Sequence, residues 1–213
     1  MEFLKNNWLD LLEKVGEHFF IAMAALLAGV LVAVPIGILL TRTPRLAKIT
    51  VSVASVLQTI PSLALLAIMV PLFGVGKVPA IIALFIYSLL PILRNTFSGM
   101  DSVDKGVLDA AKGMGLKSAE IIRRVQLPLA SPVIMAGIRL SGVYVVAWAT
   151  LASYIGAGGL GDYIFTGLNN FNQDFIIWGT VPVTLLALLT DAILRSLEKK
   201  VRPRTHSSRK ELA

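Results

Sequence analysis

The sequence predicts an all-α membrane protein with about five transmembrane helices. Hydrophobic residues make up 55% and charged residues 15% of the 213 residues, a mixture too apolar for an ordinary soluble domain. Several stretches without any Asp, Glu, Lys or Arg approach or exceed the roughly 20 residues that a spanning helix needs. Basic residues concentrate in alternate loops between these stretches, which is typical of a multi-pass topology.

The uncharged stretches define the predicted spans. Three are long, and two shorter ones are flanked by Lys77, Arg94 and Arg195, whose long side chains can extend toward the headgroups. Within one transmembrane domain at 19–198, the predicted spans are 19–40, 49–73, 77–94, 129–154 and 175–195. The first is not interpreted as a secretory signal peptide, because its apolar run is about twice the usual length and follows an acidic segment.

The distribution of Lys and Arg predicts the orientation. The loop after the first span, the long loop 95–128 and the tail 199–213 are rich in both, whereas the second loop has only Lys77 and the stretch 155–174 has neither. Because positively charged loops stay on the cytoplasmic side, we expect the N-terminus outside and the C-terminus in the cytoplasm. Topology therefore explains the formal net charge of +7, and no nucleic-acid partner is expected.

The sequence offers little for catalysis. It contains no Cys and only two His residues, so no thiolate site, imidazole cluster, metal site or catalytic residue is predicted. Asp191 is the only acidic residue within a predicted span, and we expect it to stand alone. The phosphate-binding pattern G-x-x-x-x-G-K-[ST] does not occur, so ATP hydrolysis would come from a partner. An intramembrane enzyme and a membrane scaffold are the least favoured hypotheses.

The loop 95–128 is longer than a simple connection and shows helical periodicity. Asp101 or Ser102 is expected to cap a first short helix. Gly113 and Gly115 are expected to end it, since glycine tolerates the left-handed conformation of a helix C-terminus.

A second short helix is expected to follow in the same loop. Ser118 is its expected cap, and it should end near Leu127 because Pro128 disfavours an α conformation in the residue before it. Two short helices joined at a glycine turn suit close docking into a groove of another protein.

A motif in this loop resembles a known family. Three residues separate Ala111 from Gly115 and nine more precede the run VQLP, so that the motif residues are Asp109, Ala110, Ala111, Gly115, Leu127 and Pro128. The pattern resembles the EAA loop of the permease subunits of bacterial ABC importers, although Asp109 stands where that family usually has Glu. In the family, this loop inserts a coupling helix into the ATPase subunit, which binds ATP and Mg²⁺. The resemblance implies an ATPase-coupling role for these residues in a non-catalytic subunit without a cofactor of its own.

Two further stretches narrow the resemblance. GVGKVPAIIALFIYSLLPILRNTFSG at 74–99 and ATLASYIGAGGLGDYIFTG at 149–167 resemble permeases of osmoprotectant importers, which move glycine betaine, carnitine or choline inward. This implies a type I ABC importer permease fold, similar to that of methionine importers, in the bacterial cytoplasmic membrane. It also implies three partners: ABC ATPase subunits, an extracellular substrate-binding protein and a second permease, identical or homologous. A permease for another small solute such as methionine is the alternative.

Polar residues inside the predicted spans are candidates for a translocation path. Gln58, Thr59, Pro61 and Ser62 interrupt the second span, either because they line a cavity or as a static kink. Arg139 lies in the fourth apolar segment, where it either makes a polar contact at the path or permease interface or snorkels to the cytoplasmic headgroups. The sequence leaves both alternatives open.

Aromatic and glycine residues allow two further hypotheses. A quaternary ammonium group would find π faces on Tyr87, Tyr144, Trp148 and Tyr154. Interface belts and helix packing explain most Trp and Tyr in membrane proteins, so this cage is the less favoured interpretation. Gly156, Gly158 and Gly161 match G-x-G-x-x-G, but no strand precedes them, and we interpret the segment as a flexible or closely packed turn.

Overall fold

The computed structural model describes the backbone of residues 2–201 and the side chains of residues 5–201, and all regular elements of that part of the chain are helical. The helices are α1 (Glu2–Leu40), α2 (Pro44–Thr59), α3 (Ser62–Phe73), α4 (Lys77–Asp101), α5 (Lys105–Gly113), α6 (Ser118–Ile121), α7 (Leu127–Trp148), α8 (Gly161–Asn169) and α9 (Gln173–Val201). A π-helical turn (Ile122–Gln126) joins α6 to α7, and a 3₁₀ turn (Ala149–Ile155) follows α7. The predicted all-α class is confirmed. Most of the predicted basic tail, 202–213, lies outside the described residues.

The contacts near the two termini of α1 define the two ends of the helical bundle. Its 39 residues give a length of about 58 Å, well beyond the roughly 30 Å of a bilayer core. Near its N-terminus, Lys14 pairs with Asp162 of α8 at 2.6 Å, and this side is termed the α8 end. After its C-terminus, Arg42 lines a pocket together with Lys105 of α5, and this side is termed the α5 end. The helix thus begins well before the first predicted span.

The second predicted span is broken. Helices α2 and α3 meet at 94° around Ile60 and Pro61, whose ψ angles of 127° and 135° are extended. Pro61 explains the break, because its ring disfavours the α conformation in the residue before it. Helix α2 follows α1 at the α5 end, whereas α4 starts at the α8 end, where Lys77 pairs with Glu17 at 2.8 Å. Among the described residues, four helical segments are long and apolar enough to span a membrane, and the bent pair α2–α3, counted as one span, gives the fifth crossing of the prediction.

The prediction that a helix ends near Leu127 is wrong. The segment α6, the π-helical turn and α7 form one continuous helix that passes Pro128. The N–H of Leu127 donates to the carbonyl of Ile122, five residues back, so the turn is wider than an α turn. Pro128 then falls in the first turn of α7, where a missing N–H and the proline ring are tolerated.

The predicted helix caps are also wrong. Helix α4 runs through Asp101, and Asp104 caps α5 instead, its Oδ1 accepting from the N–H of Val107 at 3.0 Å. Helix α6 starts at Ser118 itself, and the carboxylate of Glu120 accepts from the N–H of Lys117 at 3.0 Å. In both cases an acidic side chain at the start of the helix accepts from a free N–H group.

Close packing of small residues positions the central helices. Helix α4 lies between α1 and α7, and a Cβ at Gly137 of α7 would lie 2.6 Å from the Cβ of Asn95 and 2.8 Å from the carbonyl oxygen of Pro91. Such backbone contact is typical of membrane helices, where van der Waals packing drives association. Helix α8, in the stretch predicted only as an outer connection, packs on α9 and on the 3₁₀ turn.

Candidate functional site

The candidate coupling helix α5 ends in a Schellman motif. The N–H of Leu116 donates to the carbonyl of Ala111 at 3.3 Å, and the N–H of Gly115 donates to the carbonyl of Lys112 at 2.9 Å. Gly115 has a φ of +81°, a left-handed conformation that disfavours any residue with a Cβ. The predicted end of this helix at Gly113 is confirmed, and Gly115 sets the turn into α6.

The two faces of α5 differ in burial. Ala111 is buried, and Leu108 packs on the apolar cluster that contains Met100 and Val103. The adjoining face exposes Val107, Ala110 and Met114, with 43% of Val107 and 75% of Met114 accessible. These three residues, termed the α5 stripe, recur at i, i+3 and i+7 and have no partner surface among residues 5–201. The spacing was visible in the sequence, but Val107 and Met114 were not among the predicted coupling residues.

The predicted coupling residues divide into two groups. Asp109, Ala110 and Gly115 are exposed, and the carboxylate of Asp109 pairs with Lys112 at 2.9 Å. Leu127 instead packs on the same apolar cluster as Leu108, so it anchors α5 to the membrane helices. Ala111 lies on the anchoring face, and Pro128 is exposed at the start of α7. The loop therefore presents one apolar face while its other face is fixed to α4 and α7.

The break between α2 and α3 is held by Tyr87 of α4. The phenolic hydroxyl of Tyr87 donates to the carbonyl of Ile60, which the break leaves without a helical partner. The side-chain amide of Gln58 donates to the backbone carbonyl of Tyr87 at 3.1 Å. Thr59 bonds within its own helix, to the carbonyl of Val56 at 2.7 Å. Two side chains thus bridge the predicted interruption, and Tyr87 is a site residue whose hydrogen bond the sequence did not predict.

The four predicted aromatic residues do not form one cage. Tyr87 and Tyr144 both contact Trp148, with ring centroids 4.7 and 5.4 Å apart. Tyr154 lies elsewhere, at the α8 end, where its ring contacts Phe165 at 4.2 Å. The first three therefore pack α4 against α7, and Tyr154 belongs to a different surface.

Arg139 connects α7 to α9 by two ion pairs. Its Nε lies 2.6 Å from Oδ1 of Asp191, and its Nη1 lies 3.3 Å from Oε2 of Glu198. The expectation that Asp191 stands alone is therefore wrong: residues distant in sequence are brought together by the packing of α7 on α9. The hydroxyl of Ser131, which donates to the carbonyl of Pro128 at 2.7 Å, also lies 3.2 Å from the carbonyl of Val201.

A carboxylate joins three elements at the α8 end. Glu17 accepts from Lys77 at 2.8 Å, from the N–H of Gly159 at 3.1 Å and from Lys14 at 3.3 Å. Gly158 has a φ of +81°, and a Cβ on it would lie 2.4 Å from Oε2 of Glu17. The glycine segment is thus a turn packed closely against α1. Of the two predicted alternatives, a flexible or a closely packed turn, the structure has the second.

A second contact at the α8 end supports the same turn. The hydroxyl of Tyr163 donates to Oδ2 of Asp10 at 2.6 Å. Burial and the neighbouring Asp10 carboxylate raise the pKa of Tyr163 well above its usual value, so the phenol remains a donor over the physiological range. The acidic segment before the first predicted span is therefore part of α1 and fixes α8.

Comparison with known proteins identifies the family. Residues 21–204 match the family described as binding-protein-dependent transport system inner membrane component. The chain belongs to this family. It is therefore a transporter subunit and a multi-pass protein of the cytoplasmic membrane.

Curated members of the family resemble this chain over nearly its whole length. It is 52% identical over 213 residues to the glycine betaine/carnitine/choline transport system permease protein OpuCB of Bacillus subtilis (strain 168), covering 100% of this chain and 98% of the relative. It is 55% identical over 202 residues to the carnitine transport permease protein OpuCB of Listeria monocytogenes, covering 95% of this chain and 93% of the relative. The predicted resemblance to osmoprotectant permeases is confirmed.

A solved structure shares the fold. The inward-facing MetNI methionine ABC transporter superposes with a TM-score of 0.83 at 21% identity, covering 91% of this chain and 96% of that chain. The predicted type I ABC importer permease fold is confirmed. Within residues 5–201, no group of three or more His, Asp or Glu side chains is arranged to hold a metal ion.

Proposed function

We propose that this chain is the permease subunit of an ABC importer that moves a compatible solute such as glycine betaine, carnitine or choline inward. The observation that carries the proposal is the full-length identity of 52% to a permease named for these three solutes. The exposed α5 stripe supports it, because an apolar helix face that the described part of the chain leaves uncovered indicates a docking surface.

The orientation follows from charge at the two ends. Basic residues crowd the α5 end, including Arg42, Arg94, Lys105 and Arg123, which favours its placement in the cytoplasm. The N-terminus and α8 then lie outside, where a substrate-binding protein docks. The transmembrane domain spans 19–198, with the coupling loop at 95–128 and a basic cytoplasmic tail at 199–213.

The coupling loop transmits force from a partner. The α5 stripe sits in a groove of an ABC ATPase subunit, which binds ATP and Mg²⁺ and performs the chemical step, while this chain performs none. When the ATPases close, α5 moves, and the continuous helix from α6 through the π-helical turn into α7 carries that movement into the membrane. A second permease, identical or homologous, completes the path.

The path itself lies beside the broken span. Gln58, Thr59, Pro61 and Ser62 place polar groups and non-helical backbone at membrane depth, which is tolerated where backbone lines a cavity. Tyr87 holds this break in place. Arg139 supports the path from a distance by joining α7 to α9.

Uptake into proteoliposomes tests the proposal. The chain is co-reconstituted with its ATPase, any second permease and its binding protein, and uptake of radiolabelled glycine betaine, carnitine, choline and methionine is measured with and without ATP. We expect ATP-dependent uptake of at least one quaternary ammonium solute and none of methionine. Uptake of methionine alone would establish the alternative substrate. If the chain is instead purified from cells and no ATPase subunit accompanies it, the transporter role is refuted.

A paired substitution tests the α5 stripe in the same assay. Met114→Asp places a charge on the exposed apolar face and should abolish uptake while the permease still inserts. Met114→Leu retains an apolar side chain of similar volume and should retain uptake. Equal uptake by the two variants would exclude the stripe from coupling.

A further inference from the structure

A pocket at the α8 end combines aromatic, acidic and neutral polar side chains. It has a volume of about 310 Å³, within the range of small-molecule sites, and lies between the 3₁₀ turn and α8. Its lining residues are Ser153, Tyr154, Asp162, Phe165, Thr166 and Asn169. None of the roles described so far for the coupling loop or the broken span involves this pocket.

Two aromatic rings form one wall of this pocket. The centroids of Tyr154 and Phe165 lie 4.2 Å apart and their planes are inclined by 57°. The side chain of Tyr154 is 62% exposed, so a ligand reaches its π face from solvent. Inclined rings that share a pocket attract a cation placed within about 6 Å of their centroids.

The acidic group in the pocket is Asp162. One of its oxygens, Oδ2, accepts from Lys14 at 2.6 Å, and its side chain remains 33% exposed where it lines the pocket. Among the described side chains of the α8 end, acidic residues outnumber basic ones by five to three. The acidic residues are Asp10, Glu13, Glu17, Asp162 and Asp174, and the basic residues are Lys5, Lys14 and Lys77. The surrounding potential therefore favours a cation.

The chemistry of the wall selects one kind of cation. A quaternary ammonium group has no N–H to donate and is weakly hydrated, so π faces and a nearby carboxylate replace its water shell at little cost. A primary ammonium would lose hydrogen bonds that the two rings do not restore. Thr166 and Asn169 supply a hydroxyl and an amide for a polar group elsewhere on the solute.

We propose that Tyr154, Phe165 and Asp162 form a binding site for the quaternary ammonium group of the transported solute at the outer mouth of the permease. The inference rests on the proposed function, since it assumes that the solute carries this group. The site receives the solute after it leaves the external binding protein and before it enters the path beside the broken span.

Binding to the intact permease–ATPase complex tests the site. The complex is placed in lipid nanodiscs without the binding protein, and saturation-transfer NMR is recorded with choline and with its uncharged isostere 3,3-dimethyl-1-butanol. We expect saturation of the choline methyl protons, a weaker signal from the isostere, and an affinity for choline about two- to fivefold lower in Tyr154→Leu or Phe165→Leu. Phe171→Leu is the matched control, because Phe171 is a 94% exposed aromatic outside the pocket.

Transport separates this inference from the proposed function. Wild-type proteoliposomes with the binding protein should take up a quaternary ammonium solute, and Tyr154→Leu should raise the concentration for half-maximal uptake. If the wild type transports such a solute and the pocket variants match Phe171→Leu in binding and uptake, the site is wrong and the function stands. Equal signals from choline and its isostere also overturn the site, and a wild type that transports no quaternary ammonium solute overturns both.

Discussion

Nε of Arg139 lies 2.6 Å from Oδ1 of Asp191, and this ion pair fastens α7 to α9 within the membrane domain. Helix α7 is continuous with the segment that follows the candidate coupling helix α5. Glu198, about two turns further along α9, binds the same guanidinium. If α5 moves as the proposed function requires, we expect α7 and α9 to move together.

Reversing this ion pair should reveal its role. Arg139→Asp places three carboxylates together, so we expect loss of uptake and a lower melting temperature of the detergent-purified complex. The double variant Arg139→Asp with Asp191→Arg restores opposite charges and should recover both. Arg195→Ala is the control, because Arg195 is an exposed arginine of α9 between Asp191 and Glu198. It should affect neither uptake nor the melting temperature. A double variant no better than the single one would contradict the role of the pair.

Removing one hydroxyl should loosen the broken span. Tyr87→Phe leaves the partly buried carbonyl of Ile60 without its donor, at a cost of about 1 kcal/mol. We expect a lower melting temperature and reduced uptake. Tyr144→Phe is the comparison, because Tyr144 is 40% exposed and contacts the same Trp148 ring. Identical behaviour of the two variants would show that the hydroxyl of Tyr87 does not hold the break.

A methyl group on the glycine turn should destabilise the α8 end. Gly158→Ala introduces a Cβ at a φ of +81° and 2.4 Å from Oε2 of Glu17, so we expect a loss of about 1–2 kcal/mol. Gly113→Ala is the control, because a Cβ there meets nothing within 4 Å and improves a helical position. Thermal unfolding followed by tryptophan fluorescence compares the two, and an unchanged melting temperature of Gly158→Ala would refute the packed turn.

The turn after α5 should matter for coupling more than for folding. Gly115→Ala costs about 1 kcal/mol because of its φ of +81°, and it shifts the direction in which α5 ends. We expect the complex to assemble and hydrolyse ATP, with less solute transported per ATP. An unchanged ratio of uptake to hydrolysis would show that this turn does not set the position of the stripe.

Much of the fold could be predicted from local properties of the sequence. The length of an apolar segment determines whether it can span the bilayer, and the positive charge of a loop determines its side. Five crossings were therefore predictable without knowledge of contacts between helices. Pro61 predicts a break but not its 94° angle, and the hydrogen bonds of Tyr87 and Gln58 at the break depend on how α4 packs against it. The pairing of Arg139 with Asp191 also requires the helical register of α7 against α9, which the composition of either helix does not contain.

The part of the candidate coupling site that belongs to a sequence motif could be predicted. The positions from Asp109 to Gly115 were assigned by resemblance, but the sequence could not say which face of α5 is buried. Val107 and Met114 follow the spacing of core residues and are exposed, because Leu108 and Ala111 occupy the core instead. The continuous helix past Pro128 escaped prediction because a π-helical turn has no simple sequence signal.

Site-specific cross-linking tests the central claim that the α5 stripe docks on the ATPase. The chain contains no cysteine, so Met114→Cys provides a single thiol on the stripe, and Leu168→Cys provides an exposed one at the α8 end. With a thiol-reactive photo-cross-linker in the assembled complex, we expect Met114→Cys to yield a covalent product with the ATPase subunit and Leu168→Cys to yield none. A product from Leu168→Cys and none from Met114→Cys would contradict both the docking surface and the orientation.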